Sequence, residues 1–99
     1  MHIRQPGSKA LVIYNGKLVL VQRDNKPDIL NPNKWNLPGG GIEDDESPRD
    51  ALIRELREEI NIEPLKIEEM GTTTYADGGS VVYRFAARLT LTEYHRVRL

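Results

Sequence analysis

The 99-residue sequence contains no cysteine. This absence excludes disulfide-bonded scaffolds, thiolate metal sites and cysteine nucleophiles. Apolar runs long enough to cross a membrane are also missing, and residues 1–4 do not open a signal peptide. Charged residues make up 29% and apolar residues 38% of the chain, as in ordinary globular proteins. We therefore expect one domain, residues 1–99, that is cytoplasmic and binds no membrane.

Long basic stretches interleaved with aromatic residues, which favour binding to nucleic-acid polymers, are absent as well. His2 and His95 are isolated, and neither has a partner at metal-ligand spacing. Charge is nevertheless uneven, because residues 41–70 carry eleven acids and four bases while the remainder carries ten bases and four acids. Such an acidic segment is either a solvated helix or a metal site flanked by bases suited to phosphate oxygens. A small phosphorylated ligand fits this distribution better than a nucleic acid.

Two β-rich runs, Lys9–Tyr14 and Lys17–Gln22, are joined by Asn15 and Gly16. Asn-Gly supplies the two positive φ angles of a type I′ turn, so the sequence predicts a β-hairpin. Both runs are almost continuously apolar, which is typical of strands buried on two faces. We therefore expect helices on both sides of the sheet.

A second hairpin is predicted from Ile67–Tyr75 and Ser80–Leu89, with its turn at residues 77–79. Arg84, in the second of these strands, either lines a pocket that binds substrate or faces solvent. Residues 90–99 are polar and mildly basic, and they support no structural prediction.

Residues 23–38 are rich in Asn, Asp and Pro and are interpreted as a loop. Loops held by a rigid sheet are where binding residues concentrate. Trp35 is either a stacking platform for a nucleobase or a packing anchor beside Leu37. Arg23 is either a phosphate contact or a solvated arginine.

A helix is predicted from Pro48 to Ile60. Ser47 suits the N-cap, Pro48 suits the first helical position, and Asp50 places negative charge at the positive end of the dipole. Asn61 suits the left-handed residue that ends the helix.

Three glutamates, Glu55, Glu58 and Glu59, share one arc of this helix, beside the apolar arc that faces the sheet. Such crowded carboxylates repel one another unless a cation lies between them, and a divalent ion is the obvious candidate. Arg54 lies outside that arc, facing the loop that carries Glu46. The glycine run at residues 39–41 is interpreted as a tight turn leading toward the helix.

These residues resemble the Nudix box, G-x5-E-x7-R-E-U-x-E-E-x-G-U, where U is aliphatic. The matching positions are Gly40, Glu46, Arg54, Glu55, Leu56, Glu58, Glu59 and Ile62, and the one departure is Asn61 in place of the final Gly. So many charged residues and glycines at fixed spacing make a specific signal, and the run from Trp35 to Gly40 resembles the segment that precedes the box in many members. Because Asn tolerates the left-handed conformation, we expect a small stability cost and intact chemistry.

The resemblance implies a MutT-like, Mg²⁺-dependent hydrolase, with Mn²⁺ as an alternative ion, that cleaves a phosphoanhydride in a nucleoside diphosphate linked to another group. It assigns Glu58 and Glu59 as metal ligands, and Glu55 as a ligand or as the group that activates water. The Gly39 carbonyl is implied as a further ligand. It also implies a tight turn at Gly40 and an ion pair between Glu46 and Arg54 that braces the loop on the helix.

The fold implied by the resemblance is an α/β/α sandwich with a mixed sheet. Family domains are usually longer than this chain, with a further strand and helix, so the resemblance implies that the C-terminal strand and helix are missing. A truncated chain, or a homodimer in which a partner completes the sheet, is then expected.

Two functions follow from the resemblance. Intact Glu55, Glu58 and Glu59 favour an enzyme, with a nucleoside triphosphate as the first expected substrate and a nucleotide sugar as the second. The short C-terminus favours the alternative, a nucleotide-binding or sensor module without turnover. An acidic helix that matches the box by accident is the remaining reading, and the exact spacing argues against it.

Overall fold

The structure is a computed structural model that describes residues 6–22, 35–74 and 80–98. Its strands and helices, in chain order, are β1 (Gly7–Tyr14), β2 (Lys17–Val19), β3 (Val21–Gln22), β4 (Trp35–Asn36), β5 (Gly39–Gly41), α1 (Pro48–Ile60), β6 (Lys66–Thr74), β7 (Val81–Arg88) and α2 (Leu91–His95). None of the helices in these ranges has the length and apolar character needed to span a membrane.

Strand β1 is the centre of a five-stranded mixed sheet. It pairs in parallel with β7 along one edge, and β7 pairs in antiparallel with β6. On its other edge, β1 pairs in antiparallel with β2 near its C-terminal end and with β5 near its N-terminal end. This mixed sheet with its packed helix confirms the predicted fold class, and it brings the glycine-rich strand β5 directly against β1.

The first hairpin forms as predicted, with Asn15 at φ 51° and Gly16 at φ 76°. Its second strand is shorter than expected, because pairing with β1 ends at Val19. Beyond Leu20 the chain forms β3, which pairs with β4 in a separate two-stranded sheet.

Two predictions about irregular segments are wrong in part. Residues 35–36 form strand β4 and are not loop, whereas residues 23–34 lie outside the described residues. Residues 39–41 form strand β5 and are not a tight turn, since each of them has a partner in β1. Three glycines carry no side-chain pattern, so only the partner strand shows that they extend a sheet.

Helix α1 has the predicted bounds and caps. The Ser47 hydroxyl accepts a hydrogen bond from the Asp50 amide, Pro48 opens the helix, and Asn61 closes it in the left-handed region at φ 62°. The backbone amide of Asn61 donates to the Arg57 carbonyl, which satisfies one of the carbonyls left open at the helix end.

The core lies between α1 and one face of the sheet. Its buried members are Ala10, Val12, Leu52, Leu56, Ile60, Ile62, Ile67, Phe85 and Ala87. Burial in β1 alternates, so that Ser8, Ala10 and Val12 face the helix while Lys9 and Leu11 point to the opposite side and are half-buried. Helix α1 therefore covers the face that the apolar strands require, and Lys9 lies on the opposite face.

The second hairpin is confirmed by the pairing of β6 with β7, and its turn at residues 77–79 lies outside the described residues. Helix α2 follows it, where the sequence supported no prediction. A capping box forms between Thr90 and Glu93. The second carboxylate oxygen of Glu93 accepts from the Leu65 amide at 2.9 Å, and the Arg98 amide donates to the Ile60 carbonyl at 3.0 Å, so α2 is held against the C-terminal end of α1.

Candidate metal and nucleotide site

The site is built where β5 meets the carboxylate side of α1. The Gly39 amide donates a 2.7 Å hydrogen bond to Oε1 of Glu59, which ties the glycine strand to the helix. On the other side of this strand, the amide of Ala10 donates to the Pro38 carbonyl at 3.0 Å. The Pro38–Gly39 peptide, which directly precedes the predicted carbonyl ligand, is thus held between β1 and Glu59.

The first two glycines of β5 both make close contacts. Gly39 has φ 135°, and a Cβ there would lie 2.0 Å from the Ser8 carbonyl oxygen. A Cβ on Gly40 would lie 2.7 Å from the Glu55 carboxylate. Gly39 therefore lets the strand approach the β1 backbone, and Gly40 leaves room for a carboxylate that the sequence assigns to the reaction.

Arg54 links the loop before α1 to the helix. Its Nε donates to Glu46 at 2.8 Å and its Nη2 to the other oxygen of the same carboxylate at 3.0 Å. The same Nη2 donates to the Gly41 carbonyl at 3.0 Å. This paired contact is the ion pair that the sequence resemblance implies, and it fixes the loop and β5 to one guanidinium.

Arg54 also contacts two of the three helix carboxylates, which the sequence did not indicate. Its Nη1 lies 2.9 Å from Oε1 of Glu55 and 3.6 Å from Oε2 of Glu58. The fork of guanidinium donors can serve several carboxylates at once. Arg54 therefore offsets part of the negative charge of the helix arc as well as bracing the loop.

The pKa shifts follow these contacts. The hydrogen bond from Arg54, aided by the Glu43 amide, lowers the pKa of Glu46, and the pKa of Arg54 is raised in return by Glu46 and then by Glu55. The pKa of Glu59 is raised, chiefly because burial disfavours its charged form. Glu55 and Glu58 add to that rise by repulsion, whereas the Gly39 amide and Lys9 oppose it. A cation beside Glu59 would therefore favour its charged form.

Sequence reasoning missed Lys9 as a residue of the site. Its ammonium donates to the Leu37 carbonyl at 3.3 Å and to the Gly39 carbonyl at 3.5 Å. A lysine inside a mostly apolar strand was the available signal, but only the pairing of Lys9 with Gly39 places it beside the carboxylates.

The donor set suits a hard divalent cation, since it consists of three carboxylates and a backbone carbonyl. These donors do not yet converge, because in the part of the chain that the structure describes no three acidic or histidine side chains are placed to hold an ion. Glu55 is turned to Arg54, Glu59 is bound to the Gly39 amide, and the Glu58 side chain is 60% exposed.

Three residues, Arg84, Arg23 and Trp35, are predicted to contact the substrate. Arg84 pairs in register with Lys9, is exposed and donates to the Thr73 hydroxyl at 3.1 Å. It lines, with Lys9 and Leu37, a cavity of about 280 Å³ that adjoins β5. Arg23 and the side chain of Trp35 lie outside the described residues.

Comparisons with known proteins identify one domain family. The sequence model of the NUDIX domain family matches residues 4–95. The chain is 42% identical over 60 residues to an RNA pyrophosphohydrolase of Marinomonas sp. (strain MWYL1), which covers 61% of this chain and 35% of that protein. It is 36% identical over 77 residues to a CTP pyrophosphohydrolase of Escherichia coli (strain K12), which covers 78% of this chain and 56% of that protein.

A solved structure agrees with the fold. The NUDIX domain of Shewanella oneidensis NrtR, crystallised with ADP ribose, superposes with a TM-score of 0.72 and 29% identity, over 91% of this chain and 63% of that one.

The chain spans about a third to just over half the length of the two curated relatives described above.

Proposed function

The chain belongs to the NUDIX domain family, and on that premise we propose that it hydrolyses a phosphoanhydride bond in a nucleoside diphosphate linked to another group. One observation carries the proposal. Glu55, Glu58 and Glu59 lie on the side of α1 that meets β5, and the Gly39 peptide is held there by a 2.7 Å hydrogen bond to Glu59. This arrangement sets three carboxylates and a backbone carbonyl on neighbouring elements, and such hard oxygen donors are the ligand types that a pyrophosphate-cleaving metal site uses.

The residues that would hold Mg²⁺ or Mn²⁺ are Glu58, Glu59 and the Gly39 carbonyl, with Glu55 as a further ligand or as the base. When bound, the ion polarises phosphate oxygens and lowers the pKa of a water that it carries. Burial raises the pKa of Glu59 in the ion-free protein. A cation bound beside this carboxylate would therefore favour its charged form.

Glu55 is the residue proposed to orient and deprotonate the attacking water. Its carboxylate is aimed at β5 by the 2.9 Å contact with Arg54 and by the absence of a Cβ on Gly40. Arg54 is itself fixed by two hydrogen bonds to Glu46. Glu46 and Arg54 therefore act as positioning residues, and Glu55 acts on the reacting atoms.

The proposed substrates are a nucleoside triphosphate first and a nucleotide sugar second. The name of the Escherichia coli relative, a CTP pyrophosphohydrolase, supports the first. The name of the Marinomonas relative adds RNA as a substrate to be tested. Arg84 and Lys9, beside the cavity that adjoins β5, provide positive charge for phosphate oxygens. Arg23 and Trp35 stay predicted contacts.

The test is turnover of Glu58→Gln and Glu59→Gln. We expect each to lower kcat by about two orders of magnitude or more, because a neutral amide is a poor ligand for a hard cation. Glu59→Gln should keep the fold, since burial already disfavours the charged form of this side chain. Phosphate or pyrophosphate release is measured with Mg²⁺ over a panel of nucleoside triphosphates, nucleotide sugars and RNA.

Glu68→Gln is the matched control, because it makes the same change on exposed β6, away from the site. Equal turnover of the site variants, the control and the parent at saturating Mg²⁺ would remove these glutamates from the reaction.

A second candidate is a domain that binds a nucleotide without turnover. It is supported by the NrtR NUDIX domain, which is 29% identical and was crystallised with ADP ribose. Saturable binding of ADP ribose, with no product over the whole panel in Mg²⁺ and in Mn²⁺, would favour this candidate.

A further inference from the structure

Lys9 holds a position that the sequence motif does not include. It lies in β1 directly opposite Gly39 of β5. Its neighbours Ser8 and Ala10 are buried on the helix side, so the Lys9 side chain leaves the sheet on the other face. From there its ammonium reaches the Leu37 carbonyl at 3.3 Å and the Gly39 carbonyl at 3.5 Å.

The backbone amide and carbonyl of Gly39 consequently face opposite charges. Its amide donates to the Glu59 carboxylate at 2.7 Å, and its carbonyl accepts from the Lys9 ammonium. That carbonyl is one of the oxygens proposed to hold the divalent ion. An ammonium and a metal ion both seek oxygen atoms, so they compete for this carbonyl.

The two hydrogen bonds from Lys9 to the Leu37 and Gly39 carbonyls are long. Both donor–acceptor distances exceed the usual range for N–H···O hydrogen bonds, whose mode is about 2.9–3.0 Å. By contrast, Arg54 makes contacts of 2.8–3.0 Å with Glu46, Glu55 and Gly41. Arg54 is therefore held to its partners more closely than the Lys9 ammonium is held to the Gly39 carbonyl.

The charges around the site also bear on the role of Lys9. Among the described residues, Glu46, Glu55 and Glu58 contact Arg54, and the charge of Lys9 acts on Glu59. The positive charge of Lys9 opposes the effect of burial on the pKa of Glu59. Lys9 thus supplies, in the ion-free protein, part of the positive charge that a divalent ion would bring.

We propose that Lys9 is the resident cation of the ion-free site, and that its ammonium leaves the Gly39 carbonyl when a divalent ion binds. The inference rests on the proposed metal ligands but not on hydrolysis. It makes metal affinity the outcome of a competition, in which Lys9 weakens binding of the ion and offsets part of the negative charge of the ion-free carboxylates.

The first experiment titrates the nucleotide-free protein with Mn²⁺ and follows free Mn²⁺ by electron paramagnetic resonance. Lys9→Met should bind Mn²⁺ about three- to tenfold more tightly than the parent, as expected for loss of one positive charge a few ångströms away. Lys9→Arg retains the charge and should stay within about twofold of the parent.

Arg84→Met is the control for long-range charge. Arg84 is one strand away from Lys9, but its guanidinium donates to Thr73 and not to β5. It should change Mn²⁺ affinity by less than about twofold, since exposed charges are screened. Unchanged or weaker binding by Lys9→Met, an equal gain in Arg84→Met, or a parent that binds no Mn²⁺ each overturn the inference.

A second measurement needs no variant. In a Mg²⁺ titration, the Lys9 Cε–Hε resonance in carbon–proton NMR spectra should shift and saturate together with the Glu59 carboxylate, while Lys17 and Lys66 stay unchanged. A Glu59 carboxylate that responds while Lys9 does not would contradict displacement. A chain that binds the ion, displaces Lys9 and yet hydrolyses nothing keeps this inference and refutes the proposed function.

Discussion

Arg54 serves more partners than its motif position indicates. The sequence pairs it with Glu46, and the structure adds contacts with Glu55, Glu58 and the Gly41 carbonyl. A guanidinium can reach all of them because its donors point in several fixed directions, which an ammonium cannot reproduce. At the scale of one residue, Arg54 therefore has two effects: it holds the loop before α1 on the helix, and it orients Glu55, the candidate base.

The ion pair of Glu46 with Arg54 should appear in the pH dependence of stability. The pKa of Glu46 is lowered from 4.5 by Arg54, so the folded state favours the charged form more than the unfolded state does. Its stabilising contribution is present above pH 4.5 and is lost as the pH falls through the folded pKa. Glu46→Gln should be less stable than the parent at pH 7, and the difference should shrink below about pH 4.5.

Urea unfolding of both proteins at a series of pH values measures this difference. Asp44→Asn, an exposed change in the same loop, is the control that should run parallel to the parent. A gap between Glu46→Gln and the parent that stays constant down to pH 3 would contradict the assignment.

The glycines of β5 make a paired prediction. Gly40→Ala should fold, because the clashing atoms are the end of the flexible Glu55 side chain, but it should lower kcat by moving that carboxylate. Gly39→Ala should fail to fold or lose several kcal/mol, because its Cβ would meet the Ser8 backbone and its φ of 135° suits only glycine.

Thermal unfolding and turnover of the two variants, measured side by side, check this prediction. Gly16→Ala is the control for a glycine with positive φ and open space, since no atom of another residue beyond its chain neighbours lies within 4 Å of the place that its Cβ would take. Full activity in Gly40→Ala would show that Glu55 does not depend on this close approach.

At the scale of elements, α1 could be predicted to the residue because its signals are local. Ser47, Pro48 and Asp50 mark its start within four positions, and Asn61 marks its end. Helix α2 also has a local signal, the capping box of Thr90 with Glu93, which is easily missed in a short polar segment. Strand β5 has none, since its extended form depends on pairing with β1.

The left-handed cap of α1 has a measurable cost. Asn61→Ala should destabilise the protein by about 1 kcal/mol, because alanine pays for a positive φ and lacks the amide that donates to the Arg96 carbonyl. Asn61→Gly restores the residue of the motif and should stay within about 0.5 kcal/mol of the parent, as relief of strain offsets the lost hydrogen bond. Urea midpoints at pH 7 measure both variants, and equal stability of Asn61→Ala and the parent would contradict the strain argument.

At the scale of the whole molecule, binding of an ion should stabilise the fold. A ligand at ten times its Kd adds about 1.4 kcal/mol, which for a chain of this size raises Tm by several degrees. We expect Mg²⁺ added after treatment with a chelator to raise Tm in the parent and in Glu68→Gln, and to have little effect in Glu59→Gln.

Scanning calorimetry with and without Mg²⁺ measures these shifts. A rise in the Tm of Glu59→Gln equal to that in the parent would place the ion elsewhere.

The homodimer and the cytoplasmic location stay predictions, and sedimentation of the purified chain tests the first of them.

The sequence by itself determined α1, the first hairpin and the spacing that sets three glutamates on one side of the helix, because turn chemistry, caps and helical periodicity act over a few residues. The tertiary structure decided which backbone meets those glutamates. Gly39 and Glu59 are twenty residues apart, and Lys9 and Gly39 are thirty apart. Contacts at such separations depend on how the strands pair around β1. No local pattern could therefore show that Lys9 contacts the Gly39 carbonyl, which is the proposed ligand of the metal ion.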